Sequence, residues 1–467
     1  MLTYQDLLGV GSDERQRMDF VLKAINRWKV TSLYRNAVDA ARYFKGENVT
    51  ITNFQKVITK VTGEQIPDVW SANYKIPSNF FYRFTNQKVQ FLLANGITWN
   101  DEGTADKLGA KKAPIDTQTY KLCIEACKCG VAFGFFNNDH VEVFSCSEFV
   151  PFYDEEDSAL KAGIRFWQID EKKPLRATLY ELDGYTDYIW INGQAQIKHE
   201  KRSYKHDVRE SLVGDTEMFN FSNYPTFPIV PMWGNSNRQS DLNPIRAQID
   251  AYDLIKSGFC NTIDEASFVY WTITNAGGMQ DDISLEDFVR KLKTLHAVAF
   301  EDEAQAQPNT VQAPFESREA LLKRLENDLY RDAMALDVTN ISGGAATATE
   351  IKAAYEPLNS KADDFEYCVL EFLDGIMAVA GIEDNATFTR SMLVNVSEDI
   401  NTLIASAAYL TPEYITEKIL NLFGDGDKAD EIIAQMNAER LGTLTNAYKG
   451  KSISEEENDA QNGSEGE

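Results

Sequence analysis

The residues best suited to chemistry are few and scattered. Gly450-Lys451-Ser452 has the ending of a phosphate-binding loop, in which backbone amides cradle phosphates and a lysine reaches over them. Such a loop needs an earlier glycine where this chain has Thr445, and a strand in front of it, which the sequence does not supply. Cys123, Cys127 and Cys129 would bring thiolates near one another on a helix, as a zinc site requires. No second cysteine or histidine pair accompanies them, and free cysteines serve readily as small buried apolar residues. Asp425-x-Asp427 begins like a calcium loop but lacks the central glycine and the terminal glutamate that grips the ion with both oxygens.

Asp154-Glu155-Glu156-Asp157 offers paired carboxylates, which could hold a cation or divide acid and base roles, with Asp154 and Glu156 as the pair of a carbohydrate-active hydrolase. Directly after Phe152-Tyr153, the same run reads more simply as a solvated acidic turn. His140, His199, His206 and His296 have no spacing for a triad or a metal site, and no serine sits in a Gly-x-Ser-x-Gly elbow. Phe80, Phe81, Tyr82 and Phe84 could stack on bases, but without interleaved basic residues their helical context favours core packing. No catalytic constellation emerges. The chain is read as a non-enzyme with neither cofactor nor metal.

The totals narrow the classes further. With 467 residues, 43% of them apolar, there is ample material for a large core or several subdomains. A formal charge of −26 is the opposite of what a protein gripping nucleic acid through its phosphates should carry. It does not exclude a conduit, where a repelling wall prevents sticking. Six cysteines are too few and too dispersed for a disulfide framework in a chain this long. The first residues lack the basic and apolar regions of a signal peptide, and no apolar run approaches the ~20 residues of a membrane span. A cytoplasmic origin in a reducing compartment is expected.

Elements follow from periodicity. From Asp13 to Gly46, Phe20, Ala24, Trp28, Leu33, Ala37, Ala40 and Ala41 keep helical spacing, and Gly46 is a stop. Ile76-Pro77-Ser78-Asn79-Phe80 reads as a capped start of a helix that passes Phe84, Lys88, Phe91 and Leu92 to Gly96. A short helix is expected over 117–128. From 131 to about 206 the period changes to two, with turns at Asn137-Asn138-Asp139, Asp183-Gly184 and Asn192-Gly193, which predicts an antiparallel meander. Phe227-Pro228-Ile229-Val230-Pro231-Met232 closes it.

Asn243-Pro244 opens a helix whose stripe is Ile245, Ile249, Tyr252, Ile255, Phe259, Ile263 and Ala266. A second helix from Ser317 shows Leu322, Leu325, Leu329, Ala333 and Leu336, so an antiparallel pair is expected to bracket a small insert. Within that insert the pattern predicts an apolar stretch at 268–273, a helix over 284–292 and a strand over 294–300. Thr411-Pro412-Glu413 starts a further helix after one over 399–409, and 429–441 makes the last. Beyond Lys451 the composition is polar and acidic, which predicts disorder.

One stretch ties these elements together. Asn340, Ile341, Ser342, Gly343, Gly344, Ala345, Ala346 and Thr347 form a loop of mostly small side chains. Behind it Ile351, Tyr355, Leu358, Ala362, Phe365, Val369, Phe372, Ile376 and Val379 step by four and three, placing an apolar stripe on one side of a long helix. Pro357 lies within this register. It removes the amide that would bond the Ala353 carbonyl, so the helix should bend there.

Ser342-Gly343, Glu350-Ile351-Lys352, Pro357-Leu358, Lys361 and Glu366 together resemble the signature of tailed-bacteriophage portal proteins, the ring-shaped head-to-tail connectors. Arg42-Tyr43-Phe44-Lys45-Gly46 is similar to the aromatic-x-Gly element after that family's first helices. The order of helix, insert, helix, loop and kinked helix is similar too, and the resemblance runs over about 13–440. It implies an α+β, predominantly helical subunit with a wing of helices plus an antiparallel β meander, a helical stem pair, a small α/β clip and a helical crown. The boundaries implied are wing 1–239 (meander about 131–230), first stem helix 240–267, clip 268–316, second stem helix 317–339, channel loop 340–348, kinked long helix with its return to the wing 349–398, crown 399–450 and a disordered tail 451–467.

By that resemblance, 340–347 is the DNA-channel loop, Pro357 the kink, and Lys352 and Lys361 sparse positive points on the channel wall, unless they pair with acids such as Glu356 or Asp364. It further implies self-assembly into a cyclic homo-oligomer, usually a dodecamer, a channel for double-stranded DNA during packaging and ejection, and docking of a separate terminase motor at the clip. Capsid, scaffolding and head-completion partners would follow, with a place at the capsid portal vertex of the virion and no membrane. Two other readings remain open from the residues alone: a ring-forming adaptor or capsid component without a DNA channel, and the hydrolase using Asp154 and Glu156.

Overall fold

A computed structural model describes residues 2–59, 63–69, 71–101, 103–210, 217–266, 270–274, 294, 305–309, 315–338, 348–391, 400, 403–406, 409–423, 429 and 431–439. The chain divides into two units, one of Met1–Val338 with Ala354–Ser391, the other of Thr339–Ala353 with Met392–Glu467. In the first unit, α1 (Tyr4–Leu8) is opened by a capping box between Thr3 and Asp6. The expected N-terminal pair is α2 (Glu14–Lys29) and α3 (Ser32–Phe44), capped by Asp13 and Thr31, whose side chains accept from amides of the first turn. Gly46, at φ +76°, ends the run. Short α4 (Val49–Asn53) and the ribbon of β1 (Val57–Thr59) with β2 (Gln65–Pro67) follow.

Next come α5 (Phe80–Leu93), β3 (Ile97–Trp99), α6 (Thr104–Leu108) and α7 (Ile115–Cys129). The cap expected at Asn79 is not made by its side chain. Instead its Oδ1 lies 2.6 Å from where a Cβ on Gly46 would stand, so Gly46 answers both a close approach and a left-handed turn.

The strands are β4 (Val131–Asn137), β5 (His140–Ser145), β6 (Phe149–Tyr153), β7 (Leu160–Trp167), β8 (Leu175–Glu181), β9 (Gly184–Ile191), β10 (Gln194–Arg202), β11 (Lys205–Glu210), β12 (Glu217–Ser222) and β13 (Ile229–Trp233). They are antiparallel, as predicted, but not one meander. A five-stranded sheet runs β10-β9-β8-β7-β6, a three-stranded sheet runs β13-β4-β5, and β11 pairs with β12. The reason lies in the side chains: these strands carry apolar residues on both faces, which a single half-solvated sheet would leave wet. Folding the run at 146–148 brings Phe133 and Phe144 of one sheet against Phe149 of the other, with ring centroids 4.5 and 5.9 Å apart.

Alternation along each strand then defines layers. Phe149 faces the three-stranded sheet, whereas Phe152 points the other way, onto Phe20 of α2 at 5.7 Å. On β4, Phe133 faces the five-stranded sheet, and Gly134 turns outward.

The remaining elements are α8 (Arg246–Ala266), the hairpin of β14 (Tyr270–Thr274) and β15 (Gln305–Asn309), α9 (Phe315–Asp332), α10 (Ala348–Ala380), β16 (Ala386–Phe388) and, in the second unit, α11 (Pro412–Phe423). α8 and α9 are antiparallel: Gln248 bonds Asp332 at one end, while Arg318 donates to Thr262 Oγ1 (2.6 Å) and Phe315 meets Phe259 at the other. α8 begins at Arg246 rather than at Asn243-Pro244, after a turn in which the Leu242 amide donates to Ser240 Oγ. Ile263, expected on its buried stripe, is exposed. Thr411 caps α11 as expected, accepting from the Tyr414 amide. Of the helix and strand expected over 284–300, only Thr294 is described, and it is helical. The acidic tail lies outside the described residues.

Candidate functional site

α10 is the element on which the sequence places function. Its stripe is buried as read: Tyr355, Leu358, Ala362, Phe365, Val369, Phe372, Ile376 and Val379 are all in the core, and Ile351 is half-buried. The helix continues without interruption through Pro357, which is exposed. On that side the Ala353 carbonyl, deprived of its amide partner, can be met by water. The loop residues 340–347 lie outside the described residues.

Two contacts seat the helix on the three-stranded sheet and a third joins it to α5. The Phe372 ring lies 2.6 Å from where a Cβ on Gly134 would be, and Gly375 similarly admits Val230 at 2.7 Å. Tyr355 stacks on Phe91 of α5 at 5.8 Å. From the returning chain after β16, Arg390 bonds Asp363 at 2.5 Å and Glu366 at 2.7 Å, clamping one polar edge of the helix.

Lys352 is exposed, as a wall charge would have to be. Lys361 is different. Its ammonium donates to the Ala333 carbonyl at 2.8 Å and lies 4.0 Å from Asp241, so it turns inward, and its acid is neither Glu356 nor Asp364. Asp241 also takes the fully buried Lys88 at 2.9 Å, and Lys88 donates to the Gly234 carbonyl and sits 4.5 Å over the Phe365 ring. Burial alone would disfavour the Lys88 ammonium, but Asp241 overcomes it and raises its pKa. For Lys361 burial prevails, and the pKa falls despite Asp241. Burial would raise Asp241, yet the two lysines hold it below the ordinary carboxylate range. Sequence reading counted Lys88 only as a helix residue, because its partner is 153 positions away.

A second polar feature escaped the sequence reading. Asp253, Ser257 and Asn261 follow one another by four on α8 and are buried, where an apolar face was expected. Each accepts a backbone amide from the extended segment before α5: Ser78 on Asp253 at 2.9 Å, Ile76 on Ser257 at 3.0 Å and Tyr74 on Asn261 at 2.7 Å. Two residues of extended chain rise about 6.6 Å and four of helix about 6 Å, so the spacings match. Burial raises the pKa of Asp253, although Asn48 and Ser78 bond it.

The remaining chemical candidates have local explanations. Asp154 accepts from Lys161 (2.5 Å), the Glu156 amide (2.8 Å) and Gln5 (2.9 Å), which pull its pKa down to about 2. It is a fixed carboxylate organising its turn, and Glu156 beside it is exposed. Cys123, Cys127 and Cys129 are buried free thiols, and desolvation pushes the latter two up to about 12. Among the described residues no group of three or more His, Cys, Asp or Glu is placed to hold a metal, and no helix is long and apolar enough to cross a membrane.

Comparison with known proteins bears on the same segments. The family model described as phage portal protein, SPP1 Gp6-like, matches residues 33–440. A portal protein of Clostridium phage phiCD119 is 21% identical over 393 residues, covering 74% of this chain and 81% of the relative. One from Bacillus phage SPP1 is 22% identical over 398 residues, covering 78% and 76%. A solved structure, the neck of an empty GTA particle computed with C6 symmetry, is similar at 10% identity with a TM-score of 0.41, covering 74% of this chain and 90% of its own.

Proposed function

Since the chain belongs to the SPP1 Gp6-like family of phage portal proteins, we propose that its copies close head to tail into a ring of twelve around a channel for double-stranded DNA at the capsid portal vertex of the virion. The observation that carries this reading is the family match over residues 33–440. Within it, residues 1–239 form the wing, 240–267 and 317–339 the stem pair, 268–316 the clip that receives the terminase motor and later the head-completion proteins, and 399–450 the crown. The loop 340–347 is the segment that meets the DNA, with mostly small, uncharged side chains.

Charge fits a conduit. At −26 per copy, a twelve-fold ring carries a large negative total and does not draw duplex phosphates to its wall. Duplex DNA presents about one charge per ~1.7 Å, so even weak attraction at every phosphate would accumulate as friction. Lys352 supplies a sparse positive point, whereas Lys361 contributes less because its ammonium is held by Asp241 and Ala333.

Mass measurement and projection imaging of the purified chain test the ring: pierced particles are expected, and a stable monomer at high concentration would overturn the reading. Deleting Ser342 to Ala346 separates a channel from a mere adaptor. Assembly should persist with DNA packaging lost, and intact packaging would favour the adaptor.

A further inference from the structure

Two charged faces of the first unit stand on opposite sides of its sheets. One is formed by α2 and α3, where Val30 is 64% exposed and Val38 38%. Lys23, Arg27 and Arg35 are exposed around Val30, and Arg35 donates to the Val30 carbonyl at 2.5 Å, which holds it at this rim. Lys23 and Arg27 have no ion-pair partner among the described residues. Asp19, one turn before Lys23, is the acid that shares this face of α2.

The other face is the outer side of α10. Tyr367 is 75% exposed at its centre. Asp363, Glu371 and Asp374 are exposed on the same arc at helical spacing, while of the two lysines of α10 Lys361 turns inward and Lys352 reaches this side only about three turns before Asp363. Arg390 takes Asp363, while Glu371 and Asp374 have no ion-pair partner among the described residues.

The layers separate the two faces. α2 covers the five-stranded sheet through Phe20 and Phe152. That sheet meets the three-stranded one through Phe149 and Phe133, and α10 covers the far side of β4 through Phe372 at Gly134. An apolar centre with a basic rim therefore looks one way, and an aromatic centre with an acidic rim looks the other.

We propose that these two faces are the complementary halves of one contact between neighbouring copies, the basic α2–α3 face of one chain seating on the acidic α10 face of the next. The inference rests on the ring reading above and names the surfaces that build it. Two unlike patches on opposite sides give a heterologous contact, the kind that propagates head to tail and can close into a ring. An exposed apolar centre within opposite charges also has the anatomy of an interface core and rim.

The test is native mass measurement of the full chain in four forms: wild type, K23E/R27E, E371K/D374K and the variant carrying all four changes. Each double variant alone should lose the closed ring, with assembly weakened by more than ~10-fold. Mixing the two in equal amounts should restore rings, because alternating copies again place opposite charges at every contact. The four-fold variant should close by itself.

A wild type that forms no ring overturns the preceding reading. A wild type that closes, alongside double variants that close equally well or folded variants that mixing does not rescue, overturns this inference alone. Should a reversed variant fail to fold, K23Q/R27Q and E371Q/D374Q read the same contact. Each should move the assembly midpoint and flatten its salt dependence, and an unchanged midpoint overturns the proposal.

Discussion

Asp241 stands between two ammonium groups, 2.9 Å from that of the fully buried Lys88 and 4.0 Å from that of the half-buried Lys361. Removing one partner of a buried pair leaves an uncompensated charge and typically costs about 3–5 kcal/mol. Asp241→Ala should exceed Lys88→Met in urea unfolding, since the former strands two like charges and the latter leaves Asp241 with Lys361. Equal losses would show that packing over Phe365 rather than charge sets the cost. Asp154 makes a pH prediction with a definite sign. Its folded pKa of about 2 lies below the ~3.9 of an unfolded aspartate, so its contribution is complete above that value and is lost as pH falls toward 2. Asp154→Asn should therefore flatten the fall of the melting temperature between pH 4 and 2. Side-chain type and local turn made Asp154 readable as an acidic turn, but nothing near Lys88 in sequence announces that its ammonium is buried.

The long helix α10 was legible because burial on one side imposes a period that the chain cannot hide, and the buried residues are those of the stripe. Its seat was not legible. Gly134 belongs to an alternating strand, and only the packed structure brings Phe372 to 2.6 Å from its missing Cβ. Gly134→Ala should cost about 1–3 kcal/mol by overpacking, read as a lower melting temperature, and a neutral result would mean that the ring moves aside freely. The α8 ladder shows the converse error, since a polar residue recurring every four positions looks solvated until a backbone is laid against it. Ser257→Ala or Asn261→Ala strands the amide of Ile76 or Tyr74, each worth about 1–3 kcal/mol if kept from water. Faster hydrogen exchange confined to residues 74–78 is the expected signature. Uniform loss of protection would instead point to global destabilisation.

At the scale of the whole molecule, the strands predicted as a single meander form two stacked sheets, with α2 outside one and α10 outside the other. That arrangement gives the unit two unlike outer surfaces. Net charge makes a further prediction at this scale. The purified protein should not retain duplex DNA in a mobility-shift measurement even at low salt, where electrostatic binding is strongest. Tight, salt-sensitive binding would mean a concentrated basic surface that the total charge conceals, and would weaken the view of the wall as a repelling one.

Local patterns along the chain were enough to place the main helices and antiparallel strands of the described residues, and the family. Each rests on local periods, turn residues or spaced signatures, which are properties of neighbouring positions along the chain. Long-range packing settles which sheet each strand joins, turns Lys361 inward, brings Lys88 to Asp241, and lays an extended segment on Asp253, Ser257 and Asn261. Those outcomes depend on pairings between residues tens to hundreds of positions apart, and a pairing is chosen by burial and by satisfying each buried polar group, which no local pattern encodes.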